Sequence, residues 1–222
     1  MKKTAYLFLL CCLILFQSCF EIIEQVFLKA DGSGNFQLVV NLSKSKTKLN
    51  SIIKMKTING HDVPSKDDIK YKIAEIEKII TKTPGITSVK TSIDFDNFIA
   101  TLSCNFNKVP QLNAAVKNVY DKENGKEKGL EKIYAYDATT NTFTRLNKFS
   151  LKDDYTKMSN ADKEIFATAN YTAIYKFDNT VATASNKETK IAASKKAVML
   201  KLNALDIVTD KKSIENKINL TH

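Results

Sequence analysis

Two runs of alternating apolar residues, one on each side of a glycine-containing turn, place the strongest constraint on how this chain folds. Before the turn they are Val26, Leu28 and Ala30, and after it Phe36, Leu38, Val40 and Leu42. An apolar residue at every second position is typical of a strand with one buried face. The glycines of Asp31-Gly32-Ser33-Gly34 readily take the positive φ angles that a tight reversal needs. Residues 21–42 therefore predict a β-hairpin, and not a calcium loop, since the recurring carboxylates of such a loop are missing.

Three helices and two further strands are predicted in the rest of the first half. The clearest helix spans residues 65–81, where Ser65 and Asp68 make a capping-box-like start and isoleucines follow at positions 69, 73, 76 and 80. The other helices are predicted at residues 43–56 and 109–120, and the strands at residues 86–94 and 98–106, joined by a turn at Asp96 and Asn97. Helices packed on one face of a sheet would bury these apolar stripes.

The second half of the chain is predicted to be rich in strands. Strands are expected at residues 133–136, 142–146, 171–177, 180–184, 190–192, 197–202 and 218–220, with a helical turn at 205–208 and a short helix around Ile165 and Phe166. Ser159 and Asp162 are placed to cap that helix. The predicted fold class is thus α+β: an antiparallel sheet with helices packed on one face, followed by a β-rich C-terminal part.

The first residues have the pattern of an export signal. Lys2 and Lys3 precede an apolar run at residues 5–16, which is shorter than the roughly 20 residues that a spanning helix needs. A buried core helix is the alternative, but it does not fit the basic start. The run ends in Phe16-Gln17-Ser18-Cys19, which resembles the lipobox of bacterial lipoproteins, although Phe16 and Gln17 depart from the usual residues.

The lipobox resemblance implies that the Cys19 thiol accepts a diacylglyceryl group and that cleavage occurs before it. Cys19 is therefore the predicted lipid attachment site, with a plain secreted protein as the alternative. Phe20, rather than Asp, follows the cysteine. The resemblance thus implies an outer-membrane lipoprotein, and the lack of an acidic cluster after Cys19 favours the periplasmic side.

The predicted signal peptide sets the boundaries of the other units. They are a signal peptide at 1–18, an α+β hairpin and helix unit at 19–121, a charged linker or loop at 122–132, and a β-rich unit at 133–222. The last unit either stands alone or forms one domain with the unit before the linker. Cys104 would be the one cysteine left without a lipid in the mature chain, so no internal disulfide is expected. It lies in a strand-like apolar stretch and is predicted to be a buried structural thiol.

The most basic local stretch is residues 43–56. It contains Lys44, Lys46, Lys48, Lys54 and Lys56 and no acidic residue, in a chain of net charge +10. A basic surface attracts anionic lipid or acidic proteins, and nucleic acid is not an expected partner of an exported protein. Contact of these lysines with anionic headgroups is one interpretation. Because they do not form a single stripe, a solvated basic face is the favoured one.

No catalytic residue and no metal ligand is predicted. The two histidines, His61 and His222, lie outside any recognisable motif, and no nucleotide-binding or zinc pattern occurs. The 24 acidic residues would still allow a two-carboxylate hydrolase, but the chain has no Trp for a sugar platform. The expected function is a membrane-anchored, non-catalytic module that binds or assembles another envelope component, without a cofactor other than the lipid on Cys19. The alternative is a lipid or glycolipid carrier with an apolar pocket between sheet and helices.

The opening hairpin and the late sequence YKFDNTVATASN…KAVMLKL together resemble the mycobacterial LppM-type lipoprotein domain. Val181, Asn186 and Val198 take the places of its valine-containing strand, asparagine turn and return strand. The resemblance covers part of the chain and lacks the C-terminal membrane segment that some members have. It implies an α+β envelope domain that handles lipid, and it assigns no catalytic residue.

Overall fold

Alternating strands and short helices make up the chain in a computed structural model, which describes residues 20–58, 60–125, 132–147 and 150–221. The strands are β1 (Glu21–Leu28), β2 (Gly34–Asn41), β3 (Thr57–Ile58), β4 (His61–Asp62), β5 (Ile86–Asp94), β6 (Ile99–Phe106), β7 (Tyr134–Asp137), β8 (Thr142–Arg145), β9 (Asn170–Phe177), β10 (Val181–Ala184), β11 (Lys190–Ile191), β12 (Ala197–Asn203) and β13 (Asn216–Leu220). The helices are α1 (Lys46–Ile52), α2 (Lys66–Thr81), α3 (Val109–Asn124), α4 (Lys152–Lys157), α5 (Asn160–Ala167) and α6 (Ala204–Val208).

The opening hairpin forms as its alternation predicts. Strands β1 and β2 pair antiparallel, with Val26 opposite Phe36. The two glycines of the turn serve different purposes, which the sequence prediction did not separate. Gly32 has the positive φ, +82°. Gly34 instead allows a close approach, because a Cβ there would overlap the Phe27 carbonyl oxygen and lie 2.6 Å from Phe106 Cζ.

A seven-stranded sheet in the order β11-β12-β9-β1-β2-β6-β5 contains strands from both halves of the chain. The halves meet where β1 pairs with β9 in parallel, with Glu24 beside Ala173 and Val26 beside Tyr175. The remaining neighbours in this sheet run antiparallel. The sequence did not predict the parallel pair, because its two strands are far apart along the chain.

One face of this sheet carries the covering layers. Helices α2 and α3 pack beside β5, β6 and β7, and the four-stranded sheet β10-β13-β8-β7 lies next to them. The Ser65 side chain accepts a hydrogen bond from the Asp68 N–H, and the Asp68 carboxylate accepts one from the Ser65 backbone N–H, which completes the predicted capping box of α2. The predicted α+β class, with helices on one sheet face and a β-rich C-terminal part, is confirmed.

The core continues between the two sheets through aromatic side chains. The Phe143 side chain is fully buried. Its ring centroid lies 6.0 Å from that of Tyr134, in a stacked arrangement, and 5.1 Å from that of Tyr175. Rings at these separations stabilise a core beyond the area that they bury. Both the small sheet and the large sheet therefore depend on this cluster for part of their core. The predicted division at residues 122–132 stays a prediction.

Several short regions differ from the sequence prediction. Residues 43–56 form a 3-10 turn at Ser43–Ser45 and then the short helix α1, which ends at Ile52 instead of reaching Lys56. Strands β3 and β4 and helix α4 were not predicted, since each is short and lacks a clear apolar period.

Candidate functional site

An apolar pocket of about 500 Å³ lies between the large sheet and the helices α2 and α3. Its sheet side is lined by Phe36, Leu38, Val40, Ala100 and Leu102, and its helix side by Ile73, Ile76, Ile80, Val116 and Val119. Ligand cavities of proteins span roughly 300–1,000 Å³ and are mostly apolar with few polar groups. The pocket has the size and lining of such a site.

The apolar spacing that predicted these strands and helices also places their apolar side chains on the faces that line the pocket. Leu38, opposite Leu102, lies on the strand face that the helices cover. Ile73, Ile76 and Ile80 recur at helical spacing on α2. The facing layers do not close completely on each other: Leu38 and Leu102 are only partly buried, although they lie between sheet and helices.

The residues that line the pocket are buried at one end and more exposed at the other. Phe36 and Ile80, at its closed end, are 7% and 6% exposed. Val40 and Ile73 are partly exposed, and Glu123, on the last turn of α3, is exposed. Exposure therefore rises toward the end of β2, and the mouth lies there.

The mouth opens at the edge of the sheet where β1 begins. Val40 pairs with Ile22 on one side and with Ala100 on the other, so these three residues form one row across the sheet. Cys19 lies three residues before Ile22 in the sequence. We call this side of the molecule, with Phe20, the end of β2 and the β5–β6 turn, the N-terminal edge.

An ion pair connects helices α2 and α3 beside the mouth. Lys72 Nζ lies 2.7 Å from Glu123 Oε2. The hydrogen bond to Glu123 raises the pKa of Lys72, so the lysine stays charged. Exposed pairs of this kind contribute little stability. The pair therefore makes the rim of the mouth polar, but it contributes little to holding helices α2 and α3 together.

A buried ion pair contributes one of its two members, Glu24, to the pocket wall. Glu24 and Arg145 are 5% and 9% exposed, and Arg145 Nε and Nη2 donate to the two Glu24 oxygens at 3.1 and 3.2 Å. The hydroxyls of Tyr171 and Tyr175 donate to the same carboxylate at 2.9 and 2.7 Å. The guanidinium also lies 5.2 Å from the Tyr134 ring centroid.

This network keeps its charges and offers no unpaired acceptor to a ligand. Burial alone would raise the pKa of Glu24, but the Arg145 charge and the donated hydrogen bonds hold that pKa below its ordinary value. Burial and the Glu24 charge raise the pKa values of Tyr171 and Tyr175, so both hydroxyls remain donors. Every Glu24 oxygen is already bonded, so the pocket favours an apolar group over a polar one.

The structure places the sequence-predicted lysines on the N-terminal edge and away from the pocket lining. Lys44, Lys46, Lys48, Lys54 and Lys56 are all exposed. Cys19, the predicted lipid attachment site, lies outside the described residues. Neither prediction about these side chains is tested by the fold itself.

Three further groups with reactive or metal-binding side chains have structural or surface environments. Cys104 is 1% exposed, and burial raises its pKa to about 11, so it is the predicted structural thiol. Asp94 accepts hydrogen bonds from the backbone N–H groups of Asp96 and Asn97 and stabilises the turn. His61 lies 3.6 Å from Asp162 on the surface. Within the described ranges, no three His, Cys, Asp or Glu side chains form a metal-binding group.

Sequence reasoning missed the Glu24–Arg145 pair, although two signals were present. Glu24 is in phase with Val26 and Leu28, the inward positions of β1. Arg145 is the single arginine among 34 basic residues. An arginine binds a carboxylate through two parallel hydrogen bonds, which lysine cannot reproduce.

Comparisons with known proteins add one structural similarity. The chain is similar to the folded domain of the LppM protein of Mycobacterium tuberculosis, solved by NMR, with a TM-score of 0.47, 10% sequence identity and 91% of each chain covered. No protein-family model and no curated protein matches this chain. A similarity of this degree assigns neither a ligand nor an activity. In the part of the chain that the structure describes, no helix is long and apolar enough to cross a bilayer.

Proposed function

We propose that this protein is a membrane-anchored envelope lipoprotein that binds a lipid or glycolipid through an acyl chain held in the apolar pocket. The pocket between the sheet and helices α2 and α3 is the observation that carries the proposal. It favours the lipid-binding alternative over a module that only binds another protein, since a protein-binding surface needs no apolar pocket between sheet and helices.

The dimensions of the pocket support a chain-like ligand. At about 30 Å³ for each methylene, close to the volume share of a water molecule, a cavity of about 500 Å³ holds roughly 16 methylenes. Each buried methylene contributes about 0.8 kcal/mol. The polar group of the ligand would stay at the mouth, beside Lys72 and Glu123, because the closed end is lined by Phe36 and Ile80.

The anchor and its location rest on the sequence. Cys19, at the end of the lipobox-like segment, is the proposed attachment site. Phe20 after it supports delivery to the outer membrane, and the lack of an acidic cluster after Cys19 supports the periplasmic side. No catalytic group is part of the proposal, because the pocket lining is apolar and its one buried carboxylate is fully bonded.

Filling the pocket mouth is expected to weaken acyl-chain binding. Ala100 lines the pocket near its mouth, so Ala100→Phe places a ring in the space that the chain would occupy. We expect the affinity for a fluorescent fatty-acid probe, measured by titration, to fall at least about tenfold, which corresponds to about 1.4 kcal/mol.

Ser103→Phe is the matched control. Ser103 lies on the same strand but faces the opposite side of the sheet, since it pairs with Gln37 whereas Leu102 pairs with Leu38. The control should bind the probe as the unmodified protein does. Equal affinities for all three proteins would refute binding in this pocket.

A further inference from the structure

The N-terminal edge carries a continuous basic segment on its surface. Residues 43–56 contain five lysines and no acidic residue, and all five lysines are exposed. Phe95 lies in the β5–β6 turn, and two more lysines pack over its ring. The Nζ atoms of Lys66 and Lys70 lie 5.2 and 5.9 Å from the ring centroid. Asp94 and Asp96 share that turn, and Asp94 is occupied there as a hydrogen-bond acceptor.

Contacts at both ends fix the basic segment along this edge. At its start, the Leu42 N–H donates to the Phe98 carbonyl at 2.9 Å, and Lys46 Nζ lies 3.5 Å from Asn97 Oδ1. Just beyond its end, His61 lies 3.6 Å from Asp162 on α5. The segment therefore runs from the β5–β6 turn to helix α5.

Helix α5 brings the segment next to the start of β1. The Phe166 ring of α5 packs edge-on against the Phe20 ring, with 6.4 Å between centroids. Phe20 directly follows Cys19 in the sequence. The basic segment and the proposed lipid anchor thus share one edge of the fold.

Two large apolar side chains stay exposed on these same elements. Met55, between Lys54 and Lys56, is 49% exposed, and Ile165 on α5 is 48% exposed. Lysines that flank an apolar residue can keep their ammonium groups at lipid phosphates while the apolar group enters the interface. Exposed lysines beside exposed apolar side chains are therefore better suited to contact with an anionic bilayer than to full exposure to water.

We propose that the N-terminal edge docks on the anionic leaflet that holds the lipid of Cys19, with Met55 inserted among the headgroups and the pocket mouth facing the bilayer. The orientation rests on the proposed anchor and pocket, since the mouth opens at this same edge. An acyl chain would then pass between bilayer and pocket with little exposure to water.

Docking can be tested on the full lipoprotein, purified from membranes and reconstituted into vesicles. Met55→Cys is labelled with an environment-sensitive fluorophore, and Cys104 does not interfere because it is buried. With phosphatidylglycerol present in phosphatidylcholine vesicles, we expect a blue shift and strong quenching by lipids that carry a quencher on the acyl chain. Both effects should weaken with rising salt, because exposed charges are screened.

Ala193→Cys provides the matched control at the opposite edge. Ala193 is exposed in the turn between β11 and β12. The other end of β12 lies at the N-terminal edge, because Asn203 pairs with Asn170, which in turn pairs with Glu21 at the start of β1. The turn with Ala193 therefore lies away from that edge. Its label should remain in water.

Replacing the five lysines of residues 43–56 by glutamine should remove the blue shift at position 55 in anionic vesicles. A label at position 55 that stays as water-exposed as the one at 193 overturns the docking surface, and so does insertion that survives the glutamine substitutions. Fatty-acid binding by the same preparation is a separate readout, so failure of docking is distinguishable from failure of the pocket.

Discussion

Arg145→Met is expected to lower the free energy of unfolding by about 3–5 kcal/mol, the usual cost of removing one partner from a buried ion pair. The substitution leaves the Glu24 carboxylate, 5% exposed, without its counter-charge. Small domains are stable by only about 5–15 kcal/mol, so the variant should be marginal. Denaturant unfolding followed by circular dichroism measures the change.

The variant should also reverse the pH dependence that Glu24 contributes. In the unmodified protein its pKa lies below the ordinary value of 4.5, so its stabilising contribution is present above that pH and is lost in stronger acid. Without Arg145, burial dominates and raises the pKa of Glu24. The neutral form is then the tolerated one, and Arg145→Met should lose stability as the pH rises from acid to neutral.

Two further variants separate the loss of the pair from the loss of a basic residue. Lys217→Met changes an exposed residue on the adjacent strand β13 and should cost little. The double variant Glu24→Leu/Arg145→Met removes both buried charges and should recover part of the lost stability, but not all of it, because the Tyr171 and Tyr175 hydroxyls lose their acceptor. If Arg145→Met alone were as stable as the unmodified protein, the contact between Glu24 on β1 and Arg145 on β8 would contribute nothing to stability.

Cys19→Ala is expected to abolish acylation. Two or three acyl chains hold a protein firmly on a membrane, because each buried methylene contributes about 0.8 kcal/mol, whereas a single chain gives only marginal binding. The measurement is metabolic labelling with a clickable fatty acid, followed by gel fluorescence of the purified chain. Labelling is a better readout than fractionation, since an uncleaved apolar run at residues 5–16 would itself associate with membranes.

Cys104→Ala is the control for this experiment. The Cys104 thiol is buried and its pKa is raised, so its loss should leave labelling unchanged. Undiminished labelling of Cys19→Ala would show that the anchor lies elsewhere, or that the lipobox-like segment is not processed.

The elements that local chemistry specifies were predictable. The Ser65–Asp68 capping box and the isoleucine spacing predicted α2 almost to the residue, and alternation around Gly32 predicted the first hairpin. The parallel pairing of β1 with β9 was not predictable, since no local pattern states which distant strand a given strand will join.

The candidate site shows the same limit. The apolar stripes that line the pocket were recognised, but whether facing stripes close on each other depends on side-chain volumes across two layers, such as Ala100 on the sheet side and Ile73 and Ile76 on the helix side. The network around Glu24 was missed because its members come from three separate strands. The register of the sheet is needed to recognise that the mouth and the basic segment lie at the same edge.

Mass spectrometry of the lipid that co-purifies with the folded chain tests the central claim most directly. The chain should begin at Phe20, whose carbonyl accepts the Asn170 N–H, and it should be purified without detergent, beside Ala100→Phe and Ser103→Phe. We expect a lipid with acyl chains in near-stoichiometric amount in the unmodified protein and in Ser103→Phe, and its loss in Ala100→Phe. An unmodified protein that is folded, carries no lipid and takes up none from vesicles would contradict it.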